Sequence, residues 1–126
     1  MTLVVGASYC GAVVASFVAR ELGVSVAFVN TDSGFMQYHR MYHPEPGQHV
    51  LIVDDLVCTG RDVSAIAAFL RSAGQEVAGI SAWLSRVNLP AEQLLTLTPA
   101  PFQTYTPESC PLCSAGVPIV YSDIRE

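Results

Sequence analysis

Two acids, Asp54 and Asp55, stand side by side after the apolar run Val50 to Val53, three residues ahead of Thr59-Gly60. Adjacent carboxylates are acceptors, and the matching donors are neighbouring hydroxyl groups such as those of a sugar. The next residues, Cys58-Thr59-Gly60-Arg61-Asp62, form a short loop that feeds an amphipathic stretch. The first amides of such a helix point outward and are suited to an anion. Acids beside an anion cradle fit a ribose phosphate, with hydroxyls on the carboxylates and phosphate on the loop. The plainer alternative is a buried strand that ends in a helix cap, because Asp is a common capping residue. In that role Asp62 is the candidate first capping residue of the helix that stops at Gly74.

Four further groups carry chemistry. Gly6 and Gly11 bracket Ala7, Ser8, Tyr9 and Cys10, and glycines at both ends of a loop let main-chain amides face an anion. Without the Lys-Ser/Thr of a P-loop the spacing is a weak signal, and a tight strand-to-helix turn explains it too. From Phe35 to His43 aromatic, cationic and imidazole side chains interleave, and His39, Arg40 and His43 either meet an anion or decorate a solvated hairpin. Arg86 follows an apolar strand pattern; its fork suits a carboxylate, and a surface arginine is the alternative. Cys110 and Cys113 form a single C-x-x-C, half of a tetrahedral zinc site, with ordinary turn packing as the other reading.

The elements that must hold these groups read as alternating strands and helices. Thr2 to Val5, Val24 to Val29, Val50 to Val53, Val77 to Leu84 and Phe102 to Tyr105 read as five strands. A helix runs to about Leu22 with Gly23 as its stop, a second carries Val63, Ile66, Ala67 and Leu70 on one face, and Ala91 to Leu97 reads as a short third. This predicts an α/β fold: an open, mostly parallel five-stranded sheet with helices on both faces and ligands at the strands' C-terminal edge. One domain spans residues 1–126. The net charge is −5 and all six cations are arginines, so no basic patch for nucleic acid can be assembled. No apolar run approaches the roughly 18 residues of a membrane span, and no leader pattern opens the chain, which predicts a cytoplasmic protein without membrane partners.

The stretch HVLIVDDLVCTGRD resembles the phosphoribosyl-diphosphate (PRPP) binding motif of the type I phosphoribosyltransferases, and VVGASYCGAVVASFVARELG resembles that family's pyrophosphate loop and following helix. The resemblance runs from Met1 to about Ile119. It implies that Asp54 and Asp55 bind the ribose hydroxyls, that Cys58 to Asp62 wrap the 5′-phosphate, and that Ala7, Ser8, Tyr9, Cys10 and Gly11 hold the diphosphate. It also implies Mg²⁺ bound with PRPP and a homodimer. The family's mobile loop carries basic residues that neutralise the diphosphate; here Arg40, with His39 and His43, is the catalytic candidate. Arg86 resembles the base-binding arginine of orotate phosphoribosyltransferases, and C-P-L-C-x-x-G-V-P resembles the C-terminal segment of some of them. Three departures stand out: the loop lacks lysine, Asp62 stands where a Ser or Thr is usual, and Ser85 replaces an acid. The resemblance further implies a core without the N-terminal hood that covers the base in orotate phosphoribosyltransferases. Two functions follow: a transferase joining PRPP to a base, orotate by preference, with release of pyrophosphate, or a catalytically impaired PRPP or nucleotide binder with a regulatory role.

Overall fold

In the computed structural model, residues 1–30, 36–40, 42–90, 92–103 and 105–118 are described. Strand β1 (Leu3–Ala7) is buried at every position, as expected of an apolar strand covered on both faces. Helix α1 (Ser8–Leu22) buries the small residues Gly11, Ala15 and Ala19 and ends at Gly23, whose φ of 66° is the left-handed cap conformation. Strands β2 (Ser25–Asn30) and β3 (Gln37–Tyr38) form an antiparallel pair. Strand β4 (His49–Val57) leads to helix α2 (Arg61–Ser72), strand β5 (Glu76–Ser85), strand β6 (Leu94–Pro99) and the one-turn helix α3 (Pro111–Ser114).

The sheet order is β3-β2-β1-β4-β5-β6, and every pair except β2 with β3 is parallel. From β1 the chain crosses outward to β2 through α1, and from β4 it crosses the opposite way to β5 through α2. Right-handed crossovers in opposite directions put the two helices on opposite faces. The core divides accordingly: Val4 and Val53 pack with Ala15 and Ala19 of α1, whereas Leu3, Val5 and Ile52 pack with Val63, Ile66 and Leu70 of α2. The strand order reverses between β1 and β4, and the C-terminal ends of those two strands flank the crevice where open α/β sheets bind ligands.

The class and the helices on both faces agree with the sequence reading; the count of five strands does not. The short helix expected over Ala91 to Leu97 does not form in its described part, residues 92–97, because Leu94–Pro99 pairs with β5 as a sixth strand, Ile80 lying opposite Leu94 and Leu84 opposite Thr98. Alternating Leu and Thr favour a pleated strand, the β-branched threonines being stiff in a helix. Phe102, Gln103 and Tyr105 lie outside any strand, which removes the expected fifth strand, while Ala91 and Thr104 fall outside the described residues. Part of the Phe35–His43 segment, Phe35 and Met41, also falls outside them.

Candidate functional site

The turn after β1 is tighter than a loop from Gly6 to Gly11. Ala7 is both the last residue of β1 and the cap of α1, so Ser8, Tyr9, Cys10 and Gly11 form the helix's first turn. Two glycines permit this. A Cβ on Gly6 would come within 2.6 Å of Ala12 Cα, and one on Gly11 within 2.9 Å of the Val53 carbonyl oxygen. Ser8 has φ of 56°, the only positive value at a non-glycine among the described residues. Such strain gathers at binding turns. The first turn has no acidic residue and no side-chain cap. The outward amides of that turn carry the positive end of a 15-residue helix, with no acid of the turn itself to offset it.

β4 continues past its last partner on β1, Val53 opposite Gly6, and stays paired with β5 as far as Val57 opposite Ser85. The acids thus lie within the strand at the point where it outruns β1, rather than beyond its end. Asp54 is 8% exposed, and its Oδ1 accepts the Asp55 backbone N–H at 3.0 Å. Burial, then Asp55 and Asp62 beside it, push the Asp54 carboxyl up to about 7. Asp55 is half-buried.

A cleft of about 80 Å³ opens next to these acids, lined by Asp54, Leu56, Cys58, Thr59, Gly60 and Asp62 among others. Gly60, with φ of 79°, caps α2, and Thr59 Oγ1 accepts the Arg61 N–H at 3.3 Å. The cap is therefore Gly60 and not Asp62. Asp62 sits in the first turn of α2, lines the cleft, and adds its negative charge to that of Asp55 near Asp54. Arg61 and Cys58 are exposed.

Arg86 N donates to the Val57 carbonyl at 3.0 Å, which pins the end of β5 to the end of β4. Its guanidinium Nη1 donates to Cys58 Sγ at 3.6 Å, and its Cζ lies 5.8 Å from the Phe102 ring centroid. The arginine is thereby held against the Cys58–Asp62 turn. Ser85, in the place of an acid, donates its hydroxyl to the Val87 carbonyl at 2.7 Å and closes its own turn. His39, Arg40 and His43 come together in a different cleft of about 310 Å³, with Asn30, Gln37 and Tyr38. Tyr38 meets His43 edge-on and Phe69 of α2 at a tilt, so β3 is anchored on the α2 face. Arg40 is exposed and does not line the acids' cleft. Cys110 and Cys113 lie in and beside α3, and among the described residues no three His, Cys, Asp or Glu side chains are placed to share a metal.

Two contributors were not foreseen. Leu89 Cδ2 fills the space a Cβ on Gly60 would need, which supports the Cys58–Asp62 turn from below. Phe102 lies beneath Arg86. Neither sits in a local motif; only the positive φ required at Gly60 has a sequence signal, its glycine.

A family model described as a phosphoribosyl transferase domain matches residues 1–88. An orotate phosphoribosyltransferase of Desulforamulus reducens is 36% identical over 129 residues, 98% of this chain and 66% of that protein. The chain thus spans just under two thirds of that relative's length. The crystal structure of adenine phosphoribosyltransferase from Rhodothermus marinus is similar in fold, with a TM-score of 0.67 at 21% identity over 79% of this chain and 70% of that one. For orotate phosphoribosyltransferase from Aeropyrum pernix the TM-score is 0.57 at 26% identity, over 68% of this chain and 49% of that one. These proteins differ in the base their names carry, so likeness of fold does not choose among bases.

Proposed function

This chain belongs to the phosphoribosyltransferase family, and from that premise we propose that it transfers the phosphoribosyl group of PRPP to a ring nitrogen of a base, orotate by preference, and releases pyrophosphate. One observation carries the reading. The Asp54–Asp55 pair, the turn Cys58 to Asp62 and the first turn of α1 meet at the reversal point between β1 and β4.

In this reading the carboxylates of Asp54 and Asp55 accept hydrogen bonds from the two ribose hydroxyls, and the amides at the start of α2 take the 5′-phosphate. The amides of Ser8 to Gly11 take the diphosphate. The bond from the anomeric carbon to the diphosphate oxygen breaks, its electron pair leaving with pyrophosphate, as the base nitrogen bonds to that carbon and gives up its proton to solvent. Holding both ends of PRPP orients the anomeric carbon, and the α1 amides stabilise charge that grows on the leaving group. Adjacent carboxylates facing a phosphate site suit Mg²⁺, which takes one or two carboxylates together with substrate oxygens. When bound, the ion would neutralise the diphosphate charge. Arg86 would pair with the orotate carboxylate. The reading includes a homodimer in the cytoplasm.

The Desulforamulus relative's name supports orotate. A second reading, a PRPP or nucleotide binder with impaired catalysis, draws on Asp62 in the phosphate cleft and on the absence of lysine from the chain. Orotate depletion with PRPP and Mg²⁺ separates the two. Consumption with formation of pyrophosphate supports the transferase, whereas saturable PRPP binding without turnover supports the binder. The base is tested by competition. Orotate should bind more tightly than uracil by about 1.5–3 kcal/mol, a margin that Arg86→Ala erases. Equal binding of both by the unmutated protein removes orotate as the preferred base.

A further inference from the structure

Residues 106–117 form two consecutive turns that satisfy their own hydrogen bonds. Ser109 N donates to the Thr106 carbonyl at 3.0 Å, and Thr106 N donates to Ser109 Oγ at 3.1 Å. Ser114 N and Val117 N then close on the carbonyls of Cys110 and Leu112, each at 3.0 Å. Yet α3 buries no residue, and Leu112 and Val117 are 62% and 51% exposed. Core packing therefore does not explain why this segment is ordered as it is. What the turns do achieve is the placement of two sulfurs. Cys110 caps α3, Pro111 fixes the next φ, and the Cys113 N–H donates to Cys110 Sγ at 3.4 Å. Both thiols are free and neither is fully buried.

We propose that Cys110 and Cys113 form a redox-active dithiol that exchanges with small-molecule disulfides and closes to a reversible intramolecular disulfide. A zinc site would need further ligands, and among the described residues no third His, Cys, Asp or Glu joins the pair. Thiol–disulfide exchange needs only two sulfurs three residues apart on one turn. The roles are asymmetric. The Cys113 backbone N–H, together with the neighbouring Cys113 thiol and the Leu112 N–H, holds Cys110 below the ordinary thiol range. Cys113, facing the Cys110 sulfur, is held above it. Cys110 is thus the attacking thiolate and Cys113 the resolving thiol. Cys110 sulfur attacks one sulfur of the disulfide RSSR, breaks its S–S bond and expels RS⁻. Cys113, losing its proton, then attacks the Cys110 sulfur of the mixed disulfide and expels the second RS⁻. Two protein thiols are oxidised, one RSSR is reduced to two RSH, and the two protons end on the released thiols.

The test is to titrate the reduced full chain with oxidised glutathione and map the arginine-specific cleavage peptide that carries both Cys110 and Cys113. The parent should lose two hydrogens in that peptide and recover on adding dithiothreitol. Cys113→Ala should stop at a glutathione adduct on Cys110, and Cys110→Ala should leave Cys113 at least tenfold slower to react. Failure of the parent peptide to close in excess oxidised glutathione would overturn the proposal, as would equal reactivity of the two single variants. Zinc alone, bound at one ion per two chains and blocking exchange, would overturn it in favour of a metal site shared between copies.

Discussion

Gly11 in α1 lies against Asp54 in β4 so closely that a Cβ on the glycine would stand 3.0 Å from Asp54 Oδ1 and 2.9 Å from the preceding carbonyl oxygen. The first turn of α1 and the acid at the end of β4 are therefore one packed unit, and a change at either is felt by both.

Gly11→Ala should accordingly move α1 away from β4. Alanine is the better helix former, but here its methyl meets backbone rather than a yielding side chain. A net destabilisation of about 1–2 kcal/mol is expected, together with a loss of PRPP affinity of tenfold or more. Chemical denaturation and calorimetry check the two halves. A variant of parental stability and affinity would show that the contact is slack.

Asp54 makes stability depend on pH. Its carboxyl is raised from 3.8 to about 7, so within that window the folded chain keeps a proton that the unfolded chain has lost. Stability contributed by this group is then present at low pH and lost as pH rises through about 7. Binding has the opposite sign, because the ionised carboxylate is the better acceptor for ribose hydroxyls. Melting temperatures and PRPP titrations between pH of about 5 and about 8 should show stability falling as affinity rises. Asp54→Asn should flatten the first trend. A parent whose stability rises over that window would contradict the assignment.

Asp62 is the departure from the family pattern with the clearest structural consequence. It does not cap α2, a role Gly60 fills, but its carboxylate lines the same cleft as Asp54. Asp62→Ser removes a charge expected to repel phosphate, and with it the smallest of the upward pushes on Asp54, after burial and Asp55. PRPP affinity should rise several-fold, while the lost interaction with the helix N-terminus costs less than about 1 kcal/mol. Unchanged affinity would mean that the phosphate is held by backbone amides out of reach of Asp62.

The sequence exposes the strand-acid-turn core of this site because each part has a local cause. Val50 to Val53 must be buried, Gly60 must accept a positive φ, and Val63, Ile66 and Leu70 repeat at helical spacing. Contacts between distant segments are less legible. Gly11 reads equally as a loop glycine or a helix residue until β4 is seen against it. Arg86 reads as a strand-end cation, and only the fold reveals Cys58 on one side of it and Phe102 on the other. The β6 segment reads as a helix in isolation because Leu94-Leu95-Thr96-Leu97 is short and apolar enough for either periodicity, and pairing with β5 decides between them. The extension of β4 through Asp54 to Val57 has the same origin, since β5 continues to pair beyond the end of β1.

The central claim is that Asp54 and Asp55 hold the ribose of PRPP, and the most direct measurement is a calorimetric titration with PRPP and Mg²⁺ of the parent and of the Asp54→Asn, Asp55→Asn double variant, each first shown to be folded by circular dichroism. The account predicts saturable one-to-one binding by the parent and affinity at least a hundredfold weaker in the variant, because two charge-assisted acceptors are lost without opening a cavity. A folded double variant that binds PRPP as tightly as the parent would contradict it.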